Sequence, residues 1–170
     1  MLTERCTAEE GSMSRITPFL WFDSCAEQAA QFYVGLVEDS RITDVSRYPA
    51  DSRGEEGTAM TVAFELRGTP FVALNGGPVF ELTPAVSFVV ACERQSEIDR
   101  YWDAFLDGGS PSQCGWITDR FGVTWQVVPA RLSEWIGGPD EGGRGRAMQA
   151  MLAMVKFDIA TLVSAYEGTG

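Results

Sequence analysis

Apolar and polar positions alternate along this chain in two successive blocks that share one order of patterns. In the later block, Pro84 to Cys92 is an apolar run, and Ile98, Tyr101, Trp102, Phe105 and Leu106 recur at the spacing of one helix face. Gly108-Gly109 is expected to stop that helix, which spans Ser96 to Leu106. Extended runs Cys114 to Thr118 and Val123 to Val128 follow, turning at Asp119-Arg120-Phe121-Gly122. The earlier block repeats the plan. Ile16 to Phe22 reads as a strand, with Pro18–Cys25 lying over Ala85–Cys92. A helix follows with Ala26, Ala29, Ala30 and Tyr33 on one face, Phe32 and Leu36 beside it, and Asp23 or Ser24 able to cap it. Extended runs at Ile42–Arg47, Ala59–Leu66 and Pro70–Leu74 complete the block, the last two joined through Arg67-Gly68.

The unit is therefore βαβββ, used twice, and the order of elements rather than residue identity carries the repeat. The predicted organisation is a leader at 1–15, modules at 16–78 and 79–130, and a helical extension at 131–170. Tyr48 to Thr58 is a loop by composition, and Asn75-Gly76-Gly77-Pro78 is a turn opening the linker. That glycine-rich stretch lacks the Lys-Ser/Thr pair and the following helix of a phosphate loop. In the extension, Ala130–Ile136 and Phe157–Tyr166 are helical, and Glu141–Gly145 reads as a loop. Arg146–Met154 carries Met148, Met151 and Met154 as a helical stripe suited to core or dimer packing.

Composition narrows the function. The 170 residues are 45% hydrophobic, with ten Phe, five Trp and four Tyr, enough for a real core. A formal charge of −11 disfavours nucleic acid and anionic membrane surfaces as partners. No apolar run reaches the roughly 20 residues of a membrane helix. The acidic first residues lack a signal-peptide core, and Met13 is a candidate natural start, so a cytoplasmic location is expected. Cys6, Cys25, Cys92 and Cys114 show no CxxC spacing and read as reduced thiols, with Cys25 and Cys92 at equivalent places in the two blocks. Only Cys114, beside Gly115-Trp116, is a candidate reactive thiol, and the chain has no histidine to serve as its base.

Six local patterns, in order, carry a family resemblance: T-P-F-L-W-F-D, N-G-G-P-x-F, A-x-S-F-V-V-x-C, E-I-D-R-Y-W, C-G-W-I-T-D-R-F-G-V-T-W-Q-V-V-P and M-L-A-M-V-K-F-D-I-A. Across Ile16 to Ala165 the chain resembles the vicinal oxygen chelate superfamily of glyoxalases, extradiol dioxygenases and bleomycin-resistance proteins. It is most similar to the PhnB-like branch, often labelled demethylubiquinone methyltransferase-like. The resemblance implies an α+β fold in which the two modules form an incomplete eight-stranded barrel around a pocket, with C-terminal helices added. It also implies a homodimer, and in many members a divalent metal held by His, Glu or Gln.

This chain departs from that ligand pattern. Gln126 stands at the last-strand ligand position, its counterpart by repeat is Val72, and the first-strand positions are Pro18 and Ala85. One amide oxygen does not hold a transition metal, and no convergent carboxylate set for a hard ion is visible around Asn75 or Asp119. No metal and no cofactor are expected, and the strand–glycine turn–acid pattern of an S-adenosylmethionine site is missing.

What remains is a pocket walled by Trp21, Phe71, Trp116 and Trp125, with Asn75, Ser87, Asp119 and Gln126 as polar contacts. The leading expectation is metal-free binding of a small aromatic or amphipathic molecule, as in bleomycin-resistance proteins. An enzyme with unknown catalytic residues, using Asp119 or Glu65 as base, is the alternative. A third is a partner-binding protein that uses its helical tail.

Overall fold

Each block folds into a four-stranded mixed sheet with one long helix on one face. The computed structural model describes residues 16–52 and 54–169, so the predicted 1–15 leader lies outside it. The first module runs β1 (Phe19–Phe22), α1 (Ala26–Leu36), β2 (Ser40–Arg47), β3 (Ala59–Leu66) and β4 (Thr69–Asn75), with sheet order β1-β4-β3-β2. The second runs β5 (Phe88–Cys92), α2 (Gln95–Leu106), β6 (Ser110–Pro111), β7 (Trp116–Thr118) and β8 (Thr124–Pro129), ordered β5-β8-β7-β6. In both, the first strand pairs parallel with the last and the remaining pairs are antiparallel. The fold is α+β: among the described residues, eight strands form two open sheets, without a closed barrel.

Strand alternation decides which side chains meet the helices. Leu20, Phe22, Val62, Phe64, Phe71 and Ala73 are buried on the α1 side of the first sheet. Val127, Trp125 and Cys92 are buried on the α2 side of the second, where Trp125 stacks on Phe105 at 4.8 Å between centroids. The hairpin turn Arg67-Gly68 places both residues at positive φ, 48° and 79°, the backbone of a two-residue turn that matches strand twist.

The sequence alignment of the halves slips by two residues. Cys25 is the N-cap residue of α1, whereas Cys92 ends β5 and Arg94 is the N-cap residue of α2, so the two cysteines are not equivalent. Neither Asp23 nor Ser24 caps α1. Its first amide, Ala26 N, donates instead to Asn75 Oδ1 at 2.8 Å, an acceptor delivered from the far end of β4. The strand Ile16–Phe22 begins only at Phe19, and Pro84–Cys92 only at Phe88, because the preceding residues have no ladder partner.

Three helices follow: α3 (Leu132–Gly137), α4 (Glu141–Ala153) and α5 (Ile159–Glu167). The expected loop Glu141–Gly145 is the first turn of α4. Asp140 caps it by accepting from Gly142 N at 3.1 Å, and buried Gly143 lets the backbone of Tyr166 on α5 approach where a Cβ would collide. The expected methionine stripe is only partly buried: Met151 and Met154 pack on the core, while Met148 is exposed. The segment before α5 is clamped to α2 by Gln95, whose amide donates to Phe157 O at 3.0 Å and accepts from Ile159 N at 2.9 Å. Lys156 adds ion pairs to Asp99 at 2.7 Å and Asp103 at 3.6 Å.

Burial pushes the Cys92 thiol up to about 12. Native protein is therefore expected to leave Cys92 unalkylated by iodoacetamide at pH 8, with full labelling in urea, read by peptide mass spectrometry. A raised folded value gives stability present below the unfolded thiol's roughly 8.5 and lost as pH rises toward the folded value. Fast native labelling would show that the β5–α2 packing opens.

Candidate functional site

Both long helices lie on one side of their sheets, which leaves the opposite sheet faces without a helix among the described residues. On the first sheet that uncovered face carries Phe19, Trp21, Val72 and Leu74, with Phe19 59% exposed. On the second it carries Val89, Trp116, Gln126 and Val128, with Val89 also 59% exposed. Large apolar side chains left half in water on a sheet face signal a partner or a ligand.

The eight residues predicted to line a pocket do not converge. Trp21, Trp116, Ser87 and Gln126 lie on or beside the uncovered faces. The Trp21 indole donates to Gly77 O at 2.8 Å, and Phe80 of the linker meets its ring edge-on at 5.0 Å. Gln126 donates through Nε2 to Ser87 Oγ at 2.9 Å. Phe71 and Trp125 point to the helix sides, where the modules meet: Phe71 contacts Phe88 at 5.1 Å and Trp125 contacts Tyr33 at 5.2 Å. Asn75 is occupied by the α1 amide and by Ala59 O, to which it donates at 2.9 Å, and its own carbonyl accepts the Tyr48 hydroxyl.

Asp119 is the junction of the two modules. It is 4% exposed, and its Oδ2 accepts from Tyr33 Oη at 2.8 Å and Trp125 Nε1 at 2.9 Å. Its Oδ1 accepts from the amides of Phe121 at 2.8 Å and Val123 at 3.1 Å. Four donors hold a buried carboxylate with no ion-pair partner among the described residues, and both oxygens are fully engaged. Burial first, then the Asp119 charge, raise the Tyr33 hydroxyl far above its ordinary value. Asp119 thus has no free oxygen to offer a substrate. Glu65, the other base candidate, sits on the uncovered face of β3 and pairs with Arg41 at 2.7 Å. Sequence reasoning missed Tyr33 as a polar partner because its helical spacing marked it only as core.

Comparison with known proteins fits this architecture. Residues 14–128 match the family model described as 3-demethylubiquinone-9 3-methyltransferase. The structure of a Bacillus cereus PhnB protein, itself described as a putative methyltransferase of that kind, is 34% identical. It covers 68% of this chain and 98% of its own, with TM-score 0.63. The chain belongs to this family, and the PhnB protein is a solved relative in it. Protein PA1353 from Pseudomonas aeruginosa is similar in fold at 21% identity, covering 69% of this chain and 97% of its own at TM-score 0.57. No curated protein matches the chain.

Among the described residues, the strands around Gln126 do not assemble the donors of a metal site. In the sheets, Val72 pairs with Phe19 and Gln126 with Val89, not with the expected first-strand positions Pro18 and Ala85. Of these four, Gln126 alone carries an atom that can ligate a metal, its Oε1, while its Nε2 donates to Ser87 Oγ. No group of three or more His, Cys, Asp or Glu converges among the described residues. One amide does not fit a divalent ion. The methyltransferase description meets a similar mismatch: each sheet has a single parallel pair, not the doubly wound parallel sheet on which a dinucleotide-type S-adenosylmethionine site is built.

Proposed function

We propose that the protein binds a small aromatic or amphipathic molecule without a metal, in a pocket completed when a second copy covers the uncovered sheet faces. The observation that carries this reading is the pair of helix-free faces, walled by Trp21, Val72, Trp116 and Val89, with the Gln126–Ser87 pair as the polar element. Three free thiols among the described residues support a reducing, cytoplasmic setting, and no described helix is long and apolar enough to cross a membrane. The enzyme alternative rests on Glu65, held beside Arg41 on the same side of the first sheet.

The test uses untagged protein purified without chelator and the neutral fluorophore N-phenyl-1-naphthylamine. Sedimentation should show a dimer that binds the dye saturably, with divalent metal at background. Phe19→Glu, which puts a charge on the uncovered face while leaving the helix-side core alone, should give a folded monomer with dye affinity lowered about tenfold or more. A wild-type monomer that ignores the dye, or near one equivalent of metal per chain, would sink the proposal.

A further inference from the structure

A second cavity lies between the modules, walled mainly by helix-side residues and edged by Val89 and Ala91 of β5. Leu66 and Phe71 of the first module face Phe88 and Val90 of the second across a groove of about 380 Å³, with Trp125 in its lining. Its chemistry differs from that of the uncovered faces, because Arg67 lines it in a chain of net charge −11. Arg67, at the β3–β4 turn, lines the groove, and no carboxylate among the described residues pairs with it. Arg100 lies over the ring of Tyr101, another lining residue, at 4.7 Å. Burial raises the Tyr101 hydroxyl, with Arg100 and Arg67 lowering it and Cys92 and Glu38 adding to the rise. The Tyr101 side chain is 4% exposed, and its hydroxyl has no hydrogen-bond partner among the described residues, yet none of their fully buried polar atoms is left unpaired. Its hydroxyl therefore opens to the groove's solvent as an uncommitted donor.

We infer that this groove binds small monocarboxylates with an apolar body. The aromatic and aliphatic walls accept the body, and Arg67 and Tyr101 accept the carboxylate at the rim. The volume falls within the range of small-molecule sites and suits a two-ring or medium-chain acid. The Arg100–Glu38 pair at 3.3 Å is exposed on both partners, so it competes weakly for Arg100. Polyanionic phosphates are disfavoured, because two guanidiniums, one already paired, sit in a strongly acidic chain.

The groove shares only Val89 with the walls of the proposed pocket, and the variants that disrupt it, at Arg67 and Thr69, lie outside those walls. 2-Naphthoate is titrated calorimetrically against full-length protein, with neutral 2-naphthamide as the control. The acid should bind one per chain and about tenfold tighter than the amide, since a charge-assisted hydrogen bond contributes that much. Arg67→Asn keeps a residue that tolerates the positive φ of 48° and should weaken the acid about tenfold without weakening the amide. Thr69→Trp fills the groove from an exposed turn position and should abolish binding, while Phe19→Glu should leave it unchanged. Equal affinity for acid and amide overturns the inference, as does no saturable binding by wild type or unchanged acid binding in both groove variants. Loss of a wild-type dimer in Thr69→Trp also overturns it, since the groove would then be covered by a second copy.

Discussion

Replacing Asp119 by Ala is expected to lower the unfolding free energy by about 4 kcal/mol, the largest loss available from a single polar side chain here. The substitution strands four donors at once: the Tyr33 hydroxyl, the Trp125 indole and the amides of Phe121 and Val123. It also loosens the junction between modules, because Tyr33 belongs to the first and the other three to the second. Asp119→Asn separates charge from geometry. Its oxygen can keep the two amide bonds and its NH₂ can donate to the Tyr33 hydroxyl, but the Trp125 N–H then faces another donor. A loss of about 2 kcal/mol is expected for Asn and about 1 kcal/mol for Tyr33→Phe, in urea titrations followed by tryptophan fluorescence. Neither should selectively weaken dye binding in the fraction that stays folded. Near-native stability for Asp119→Ala would show that water replaces the carboxylate and that the junction does not depend on it.

Gly115→Ala is the second large effect, with an expected loss of about 3 kcal/mol from positive-φ strain and overpacking together. Gly115 has φ 76°, and a Cβ there would lie 2.6 Å from the Phe157 ring and 2.6 Å from Val127 O. The close approach has a purpose visible in the hydrogen bonds. Cys114 N and Gly115 N donate to Met154 O and Val155 O, each at 2.8 Å, which ties the extension along the β7 end of the second sheet. Phe157, 1% exposed, then fills the space under the glycine. Undocking should expose this seam, so limited proteolysis of Gly115→Ala is expected to cut between α4 and α5 faster than in wild type. Unchanged melting and cleavage would mean that the ties to α2, the Gln95 clamp and the Lys156 ion pairs, hold the extension without this seam.

The pattern of apolar positions carried most of the fold. Ala59–Leu66 was legible as a strand to the residue, and the helix from Ala26 to Leu36 was legible from its face of Ala26, Ala29, Ala30 and Tyr33. These elements bury one face each, and burial of one face is what a local period records. The short pair Ser110–Pro111 was invisible, because two residues have no period and its pairing with β7 is made in space. The start of α4 was hidden for a related reason. Its glycines oppose helix locally and are accepted because Tyr166 packs against Gly143.

For the site, the sequence by itself determined what chemistry the chain carries: no histidine, a surplus of acids, one amide at the inherited ligand position and a set of tryptophans. Which of those side chains meet was decided only by the tertiary structure. Trp21 and Trp125 look alike as strand tryptophans, yet they fall on opposite sides of their sheets, one beside Gly77 and the linker, the other against Asp119. Asp119 and Asn75 read as polar contacts for a ligand, yet Asp119 accepts from Tyr33, 86 residues away, besides three donors on its own hairpin, and Asn75 accepts from Ala26, 49 residues away. A side chain's type fixes how many hydrogen bonds it can make. The partners that claim them are set by long-range packing, which no local pattern records.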